Sequence, residues 1–346
     1  MTTRLKVISA GPAVSLQDLG RPGYCRYGLS KGGAMDPYAM AEGAALLGNE
    51  CDAAAIEMAG FGGKYRAEGG GIYAALTGAP MKSSIRSQAV SWRTIFYIRE
   101  GDTLEVGGTL EDQGVYGYLH VRGGFQVTPE IGSISTHIRA GIGGINGKAL
   151  SAGTLLSLDK IDDQDLKISR LPTPNHLSRD YLRILWGAQS NRFSQETRDR
   201  LLGETFCISH RRDRMAMRLT PLNSEQPFEA LLSGLSDPVQ DGEVQMTGDG
   251  VPAIVMREHQ PTGGYPRIAS VISADLAAAA QIPTGVPFRF QLVDDEAATE
   301  ALREWRRKIS QLPSLVRPVV RSPHQIQNLL DYNLIDGVVS ARDFNE

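Results

Sequence analysis

Residues 54–78 read AAIEMAGFGGKYRAEGGGIYAALTG. Two short apolar runs, Ala54–Met58 and Ile72–Leu76, are separated by a glycine-rich stretch, which is typical of β-strands joined by tight turns. Runs of similar length follow at Ser91–Ile98, Thr103–Val106 and Tyr116–Val121. Glycine supplies 38 of the 346 residues, against about 7% in an average protein. The pattern predicts a mainly β protein with short helices, arranged as a barrel or a sandwich.

The segment before this stretch predicts a loop and then the first helix. Residues 14–31 contain several glycines and prolines, which predict an extended loop. Asp36-Pro37 supplies a capping side chain and a proline for the start of a helix, and Gly48 suits its end. A second helix is predicted after Ser194, and Asp295–Ile309 carries apolar residues at helical spacing.

The second half of the chain repeats features of the first. LRILWG at residues 182–187 parallels LKVISAG at residues 5–11, because a strand runs into glycine in both. Further strands are predicted at Thr205–Ser209, Met217–Leu219, Ala253–Arg257 and Val286–Leu292. A polar turn with two prolines marks a boundary near residue 175. We therefore predict two β domains, residues 1–175 and 176–312, and a tail, residues 313–346, that packs on the body or on a partner.

Charge and composition argue against several classes of protein. Lys and Arg number 36 against 39 Asp and Glu, so the basic surplus of a nucleic-acid binder is missing. No apolar run reaches 18 residues, which predicts no membrane span. Three widely spaced cysteines favour neither a disulfide framework nor a zinc site, and the first residues show no secretory pattern. We expect a cytoplasmic protein with no nucleic-acid or membrane partner.

Motifs for a metal or nucleotide site are missing from the sequence. The six histidines form no HExxH pair, and the chain has no phosphate-binding P-loop, Rossmann fingerprint or GxSxG elbow. The sequence therefore predicts no metal site and gives no support for a P-loop nucleotide site.

Two polar segments contain candidate anion contacts. In the first, Asp18 and Arg21 either pin their own loop or leave the arginine to bind a carboxylate. In the second, residues 209–218 include Arg214 and Arg218 among five cationic or potentially cationic side chains. This cluster indicates either an anion site or a solvated charged face.

A third polar segment surrounds Gly263-Gly264. Bare backbone at two successive glycines lets a ligand or another chain approach closely. Gln260, Thr262 and Tyr265 add an amide and two hydroxyls within six residues. The set suits a neutral polar group such as a urea or lactam amide, and a tight barrel corner is the alternative interpretation.

The order of these motifs resembles the biotin-dependent carboxyltransferase family, which includes the C subunit of 5-oxoprolinase and allophanate hydrolase subunit 2-type proteins. The resemblance covers roughly residues 5–295 and rests on the following motifs: SLQDLGRPG from Ser15, GAMD ending at Asp36, Gly48-Asn49, Ile56-Glu57, LTGA from Leu76, GSIST from Gly132, Asp213-Arg214-Met215 with Arg218-Leu219, and Gln260 through GGYP from Gly263. It implies a fold of two tandem cyclophilin-like β-barrel domains.

The resemblance also implies an enzyme subunit that works with other chains. Its partners would be a related carboxyltransferase chain or the B subunit of 5-oxoprolinase, with the A subunit of that enzyme or a biotin carboxylase and biotin carrier in addition. The reaction would be ATP-dependent opening of 5-oxoproline or carboxyl transfer from biotin to a urea-like or lactam substrate. No cofactor is expected to be bound covalently, because this chain lacks a biotinyl-lysine motif; ATP and carrier-borne biotin are implied on partners. A non-catalytic regulator that antagonises a related partner subunit is the alternative.

Residues and resemblance together give a set of candidate site residues. Those predicted to act in catalysis, by stabilising negative oxygen at an amide centre, are Arg214, Arg218, Gln260 and Tyr265. Those predicted to bind substrate are Asp18, Arg21, Asp36, Glu57, Thr262, Gly263 and Gly264. The chain departs from the family pattern at Ser236-Asp237-Pro238, at Met215-Ala216 and at Glu258-His259-Gln260-Pro261, and these departures concern the substrate more than the fold.

Overall fold

The computed structural model of the chain describes residues 2–110, 113–158, 166–173, 180–231, 234 and 236–319. Strands form most of the regular structure, so the mainly β fold predicted from the sequence is confirmed. The predicted boundary near residue 175 and residues 320–346 of the predicted tail lie outside the described residues. Among the described residues, no helix has the length and apolar content needed to cross a membrane.

The first half of the chain forms two sheets around one apolar core. The strands, in chain order, are β1 (Arg4–Ala10), β2 (Ser15–Gln17), β3 (Ala55–Ala59), β4 (Phe61–Glu68), β5 (Ile72–Gly78), β6 (Met81–Ile85), β7 (Gln88–Ala89), β8 (Ile95–Ile98), β9 (Thr103–Thr109), β10 (Tyr116–Val121), β11 (Leu155–Ser157) and β12 (Ser169–Arg170). One sheet has the order β11-β1-β4-β9-β6-β7 and the other β2-β3-β10-β5-β8. Fully buried Leu5, Tyr65 and Leu119 belong to the core between them.

The second half contains a closed barrel. Its strands are β13 (Tyr181–Trp186), β14 (Thr205–Arg212), β15 (Ala216–Pro221), β16 (Asp237–Pro238), β17 (Glu243–Met246), β18 (Pro252–Val255), β19 (Thr262–Gly263), β20 (Arg267–Val271), β21 (Pro287–Leu292) and β22 (Arg317–Pro318). The barrel order is β13-β20-β17-β18-β15-β14-β21, and parallel pairing of β13 with β21 closes it. The short strands β16 and β19 pair with each other beside the barrel, and β22 pairs with β12.

The described residues contain the helices α1 (Pro37–Leu47), α2 (Gln195–Gly203), α3 (Leu276–Gln281) and α4 (Asp295–Leu315). Helices α1, α2 and α4 begin where the sequence predicts, whereas α3 is not predicted from the sequence. The Asp36 carboxylate accepts hydrogen bonds from the amides of Tyr38 and Ala39, and Gly48 ends α1 with a φ of 66°. Both are the ordinary chemistry of a capped helix. Helix α4 continues past the predicted Ile309 to Leu315.

Three local predictions in the first half are wrong. The glycine-rich stretch after Ala59 contains the strand β4, because Gly62 and Gly63 have no positive φ and so fit an extended strand. Atoms of neighbouring strands occupy the space that a side chain at either position would need. The predicted strand Ser91–Ile98 begins only at Ile95, since Arg93 has a left-handed φ of 57°. The predicted loop at residues 14–31 includes β2, which pairs with β3.

Helix α1 contains a buried acid that makes the stability of the fold depend on pH. Glu42 is 1% exposed and accepts a hydrogen bond from Arg93. Burial raises the pKa of Glu42 to about 7, although the guanidinium of Arg93 pulls in the opposite direction. Folded Glu42 is therefore protonated at pH values where an unfolded glutamate, with a pKa of about 4.3, is ionised.

We expect the free energy of unfolding to fall as pH rises from about 5 to 7, by at most about 1.4 kcal/mol per pH unit, because unfolding releases this proton. Glu42→Gln has no proton to release at this position, so the variant lacks this pH-dependent part of the free energy of unfolding. Chemical denaturation at pH 5, 6, 7 and 8 measures it as the difference between wild type and variant. The control is Glu50→Gln, whose exposed side chain lies just after the same helix. Parallel profiles for wild type and Glu42→Gln would contradict the prediction.

Candidate functional site

The loop at residues 260–266 is held beside the barrel by backbone hydrogen bonds. Strand β19 pairs with β16 so that Gly263 lies opposite Asp237. The Val239 amide donates to the Pro261 carbonyl at 2.8 Å, and the Met246 amide donates to that of Pro266 at 2.8 Å. Gly263 has no positive φ, so its backbone conformation does not require glycine. The missing side chain instead leaves space beside Val239.

This loop forms one wall of a small pocket of about 160 Å³ on the outside of the barrel. The residues that line the pocket are Met215, Ala216, Val239, Gln245, Val255, His259, Gln260, Thr262, Gly263, Gly264 and Tyr265. None of these described lining residues is Lys, Arg, Asp or Glu. Apolar walls with a few amide, hydroxyl and imidazole groups are typical of a site for a small neutral polar molecule.

His259 is a pocket residue to which the sequence gives no functional role. Its side chain is largely buried, and Nδ1 lies 2.9 Å from the carbonyl oxygen of Gln260. A carbonyl oxygen only accepts, so this contact places the proton of the neutral ring on Nδ1 and leaves Nε2 as an acceptor. The signal in the sequence that His259 lies near a site was the pair Gly263-Gly264, which begins four residues further along.

Arg214 lies inside the protein and joins the two halves of the chain. Its guanidinium donates to the carboxylates of Glu57 and Glu258, to the Gln17 side-chain oxygen at 3.2 Å and to the Gly33 carbonyl at 2.7 Å. Arg214 is 7% exposed, and these two carboxylates raise its pKa against the opposing effect of burial. Most of the donor capacity of Arg214 is therefore used within the protein.

The network extends from Glu57 to the start of α1. Oε2 of Glu57 accepts hydrogen bonds at 2.8 Å from the Met35 amide and from the Tyr118 hydroxyl. The same hydroxyl accepts from the Asp36 amide. Gln281 of α3 donates to the Asp36 carboxylate at 2.9 Å, which ties the barrel half to the helix cap. These contacts place Asp36 and Glu57 in the junction of the two halves.

Asp18 and Arg21 clamp their own loop to residues 133–135. The Asp18 carboxylate accepts hydrogen bonds from the hydroxyls of Ser133 and Ser135 and from the Ile134 amide. Arg21 donates from Nη2 to the carbonyls of Ser133 and Ser135. Both side chains are largely buried, and Nε and Nη1 of Arg21 have no hydrogen-bond partner among the described residues.

Arg218 lies apart from these buried groups. It forms an ion pair with the exposed carboxylate of Asp249 on the outer surface of the barrel. The structure thus brings Gln260, Thr262, Gly263 with Gly264, and Tyr265 together in the pocket. Asp18, Arg21, Asp36, Glu57 and Arg214 are buried elsewhere. In the part of the chain that the structure describes, no three His, Cys, Asp or Glu side chains are placed to hold a metal ion.

Residues 27–292 match the family model of the carboxyltransferase domain, subdomains A and B. The chain belongs to this family. The match includes the pocket and most of the buried junction, and it confirms the resemblance seen in the sequence.

Other carboxyltransferase-family proteins are similar to nearly the whole chain. It is 33% identical to the 5-oxoprolinase C subunit of Haemophilus influenzae over 90% of its own length and 98% of the relative. The C subunit of the Escherichia coli 5-oxoprolinase is also 33% identical, over 89% of this chain and 97% of the relative. The solved urea amidolyase of K. lactis superimposes with a TM-score of 0.80 at 22% identity, which shows a shared fold. The superposition covers 92% of this chain but only 21% of that structure.

Proposed function

We propose that this chain is one subunit of a 5-oxoprolinase-type or biotin-dependent carboxyltransferase enzyme, and that the pocket beside Gly263 receives the amide or ureido group of the substrate. The observation that carries the proposal is the uncharged lining of the pocket. Gln245 and Gln260 each offer an amide donor and an amide acceptor, and Thr262 and Tyr265 add hydroxyls. A lactam or a ureido group presents the complementary carbonyl and N–H.

Two relatives whose names denote enzyme subunits support a 5-oxoprolinase-type reaction, the opening of a lactam. Both are C subunits of 5-oxoprolinase and match this chain almost end to end. The urea amidolyase of Saccharomyces cerevisiae is 25% identical over 94% of this chain, which supports carboxyl transfer. Opening of a lactam and carboxylation of a urea nitrogen both take place at an amide group, so the same hydrogen-bonding groups of the pocket suit either reaction.

Within this proposal, the buried candidates position the pocket rather than touch the substrate. Arg214 and Glu258 precede Met215 and His259, which lie in the pocket wall. Their ion pair therefore fixes both wall segments relative to each other. Gln260, Thr262 and Tyr265, together with the backbone of Gly263 and Gly264, are the groups that contact substrate.

ATP does not fit this pocket, because a triphosphate needs cationic contacts and the described lining residues are neutral. We assign ATP chemistry to another chain of the enzyme. A ureido ring of biotin fits the donors and acceptors of Gln245 and Gln260, and carrier-borne carboxybiotin would supply an activated carboxyl group. The partner that completes the enzyme is a chain related to the B subunit of 5-oxoprolinase.

The purified chain is expected to show no turnover of 5-oxoproline or urea alone. Co-expression with a related B-type partner is expected to give a stable hetero-complex that buries at least about 1,200 Å². Light scattering after size exclusion measures the complex, and ATP hydrolysis dependent on 5-oxoproline measures the activity. Turnover of either substrate by the chain alone would overturn the proposal that it is one part of a larger enzyme. A stable but catalytically silent complex that blocks its partner would favour a regulatory protein instead.

A further inference from the structure

The neutral pocket leaves one part of an anionic substrate without a partner. The ring amide of 5-oxoproline suits the lining, but its carboxylate needs a cation or several N–H donors. That cation must come from outside the described lining residues. The arginines near the pocket therefore decide whether this chain can distinguish an anionic lactam from a neutral one.

Most arginines around the barrel wall are already paired. Arg257 pairs with Asp241, Arg267 lies 3.4 Å from Glu243, and Arg218 pairs with Asp249. Arg212 donates to the carbonyls of Ala280 and Ile282 at 2.6 Å. Together with Arg214, these side chains are committed to acids or to carbonyl oxygens of the fold.

Arg139 differs from them in its partner. It comes from the first half of the chain, is exposed, and contacts the sulfur of Met215 through Nη1. Met215 lines the pocket, so Arg139 lies next to a residue of the pocket wall without being one of the lining residues. A thioether is only a weak acceptor and leaves the positive charge uncompensated. Among the described residues, Arg139 has no acidic partner.

The turn that carries Arg139 is anchored on both sides. His137, two residues earlier, lies 2.9 Å through Nε2 from the Ser30 hydroxyl. Its backbone amide donates to the Ile142 carbonyl at 2.9 Å, and its Nδ1 accepts from the Ala140 amide at 3.3 Å. Burial lowers the pKa of His137, against the opposing charge of Glu258, whose Oε2 lies 3.8 Å from Nδ1. The guanidinium thus projects from a fixed base.

We propose that Arg139 binds the carboxylate of the substrate at the mouth of the pocket, and so makes the site selective for an anionic lactam over a neutral amide. This inference rests on the proposed function of the pocket. In this arrangement, pocket residues of the second half of the chain bind the amide group of the substrate, and Arg139 of the first half binds its carboxylate. When Arg139 binds the substrate carboxylate instead of the Met215 sulfur, a contact with a weak acceptor is replaced by a charge-assisted hydrogen bond.

The test compares 5-oxoproline with 2-pyrrolidinone, which has the same lactam ring and no carboxylate. Calorimetric titration of the full chain is expected to show tighter binding of 5-oxoproline. Arg139→Gln is expected to weaken 5-oxoproline by about ten- to a hundredfold and to leave 2-pyrrolidinone within about twofold. Arg139→Lys is expected to retain part of the difference. The matched control is Arg306→Gln, an exposed arginine on α4.

The outcomes separate this inference from the proposal beneath it. If the wild-type chain binds both ligands and Arg139→Gln leaves 5-oxoproline unchanged, the role of Arg139 is overturned while the pocket stands. An equal loss of both ligands in Arg139→Gln also overturns it, because a structural role would do the same. If neither ligand binds the wild-type chain, the pocket proposal fails and the inference fails with it.

Discussion

Replacing Arg214 by methionine is expected to lower the free energy of unfolding by about 3–5 kcal/mol. The substitution leaves the carboxylates of Glu57 and Glu258 inside the protein without their common cation. Glu57 is 1% and Glu258 4% exposed, so neither can turn to water without moving the chain around it. The loss is measured by chemical denaturation of the full chain at pH 7.

A second variant tests whether the two unpaired carboxylates cause the loss in Arg214→Met. Adding Glu57→Gln and Glu258→Gln to Arg214→Met should restore part of the loss, because no buried charge remains.

Arg218→Met is the matched control for the first prediction. This arginine lies four residues along the same chain segment, but its partner Asp249 is exposed. An exposed ion pair contributes only about 0–1 kcal/mol. A loss in Arg214→Met no larger than that of Arg218→Met would show that the buried network does not hold the two halves together.

Gly263→Val is expected to weaken binding of 2-pyrrolidinone by about 10–200-fold while the fold is kept. A Cβ at position 263 would lie 3.3 Å from the Val239 side chain, and both residues line the pocket. The two methyl groups of valine then occupy space that the amide of the ligand needs. Because Gly263 lies in a short strand without a positive φ, valine suits its backbone.

Calorimetric titration and thermal melting of the same preparation separate the outcomes for Gly263→Val. The control is Gly203→Val, since a Cβ at that helix end meets no atom within 4 Å. Unchanged ligand binding in a folded Gly263→Val chain would place the ligand elsewhere. Loss of the hetero-complex with ligand binding preserved would make the loop a protein-docking edge.

Local chemistry explains the elements that the sequence predicts well. Helix α1 is bounded by Asp36 and Gly48, whose capping roles depend only on neighbouring backbone groups. The strands at Ile72 and Tyr116 have the apolar content of fully buried strands. By contrast, β4 is missed because glycine is a turn signal within one sequence, and only the neighbouring strands show why it is needed there.

The candidate site was predictable in part. The segment from Gln260 to Tyr265 is short, and its amide, hydroxyls and bare backbone stay together in the folded chain, so the pocket wall was visible in the sequence. The position of Arg139 beside Met215 was not visible, because the two residues are 76 positions apart in the chain. Gln245 enters the pocket through the pairing of barrel strands β17 and β18, and Val239 through the hydrogen bond from its amide to the Pro261 carbonyl.

The sequence by itself determined the family, the mainly β fold and the ends of its first helix, because motif order, glycine spacing and capping are properties of short segments. Only the tertiary structure decided which charged residues are free to act. Arg214 and Arg218 look equivalent in the sequence, yet the first meets Glu57 from 157 positions away and is buried, while the second faces solvent. The physical reason is that the stability and chemistry of a charge depend on its burial and its partners, and both are set by contacts between distant segments.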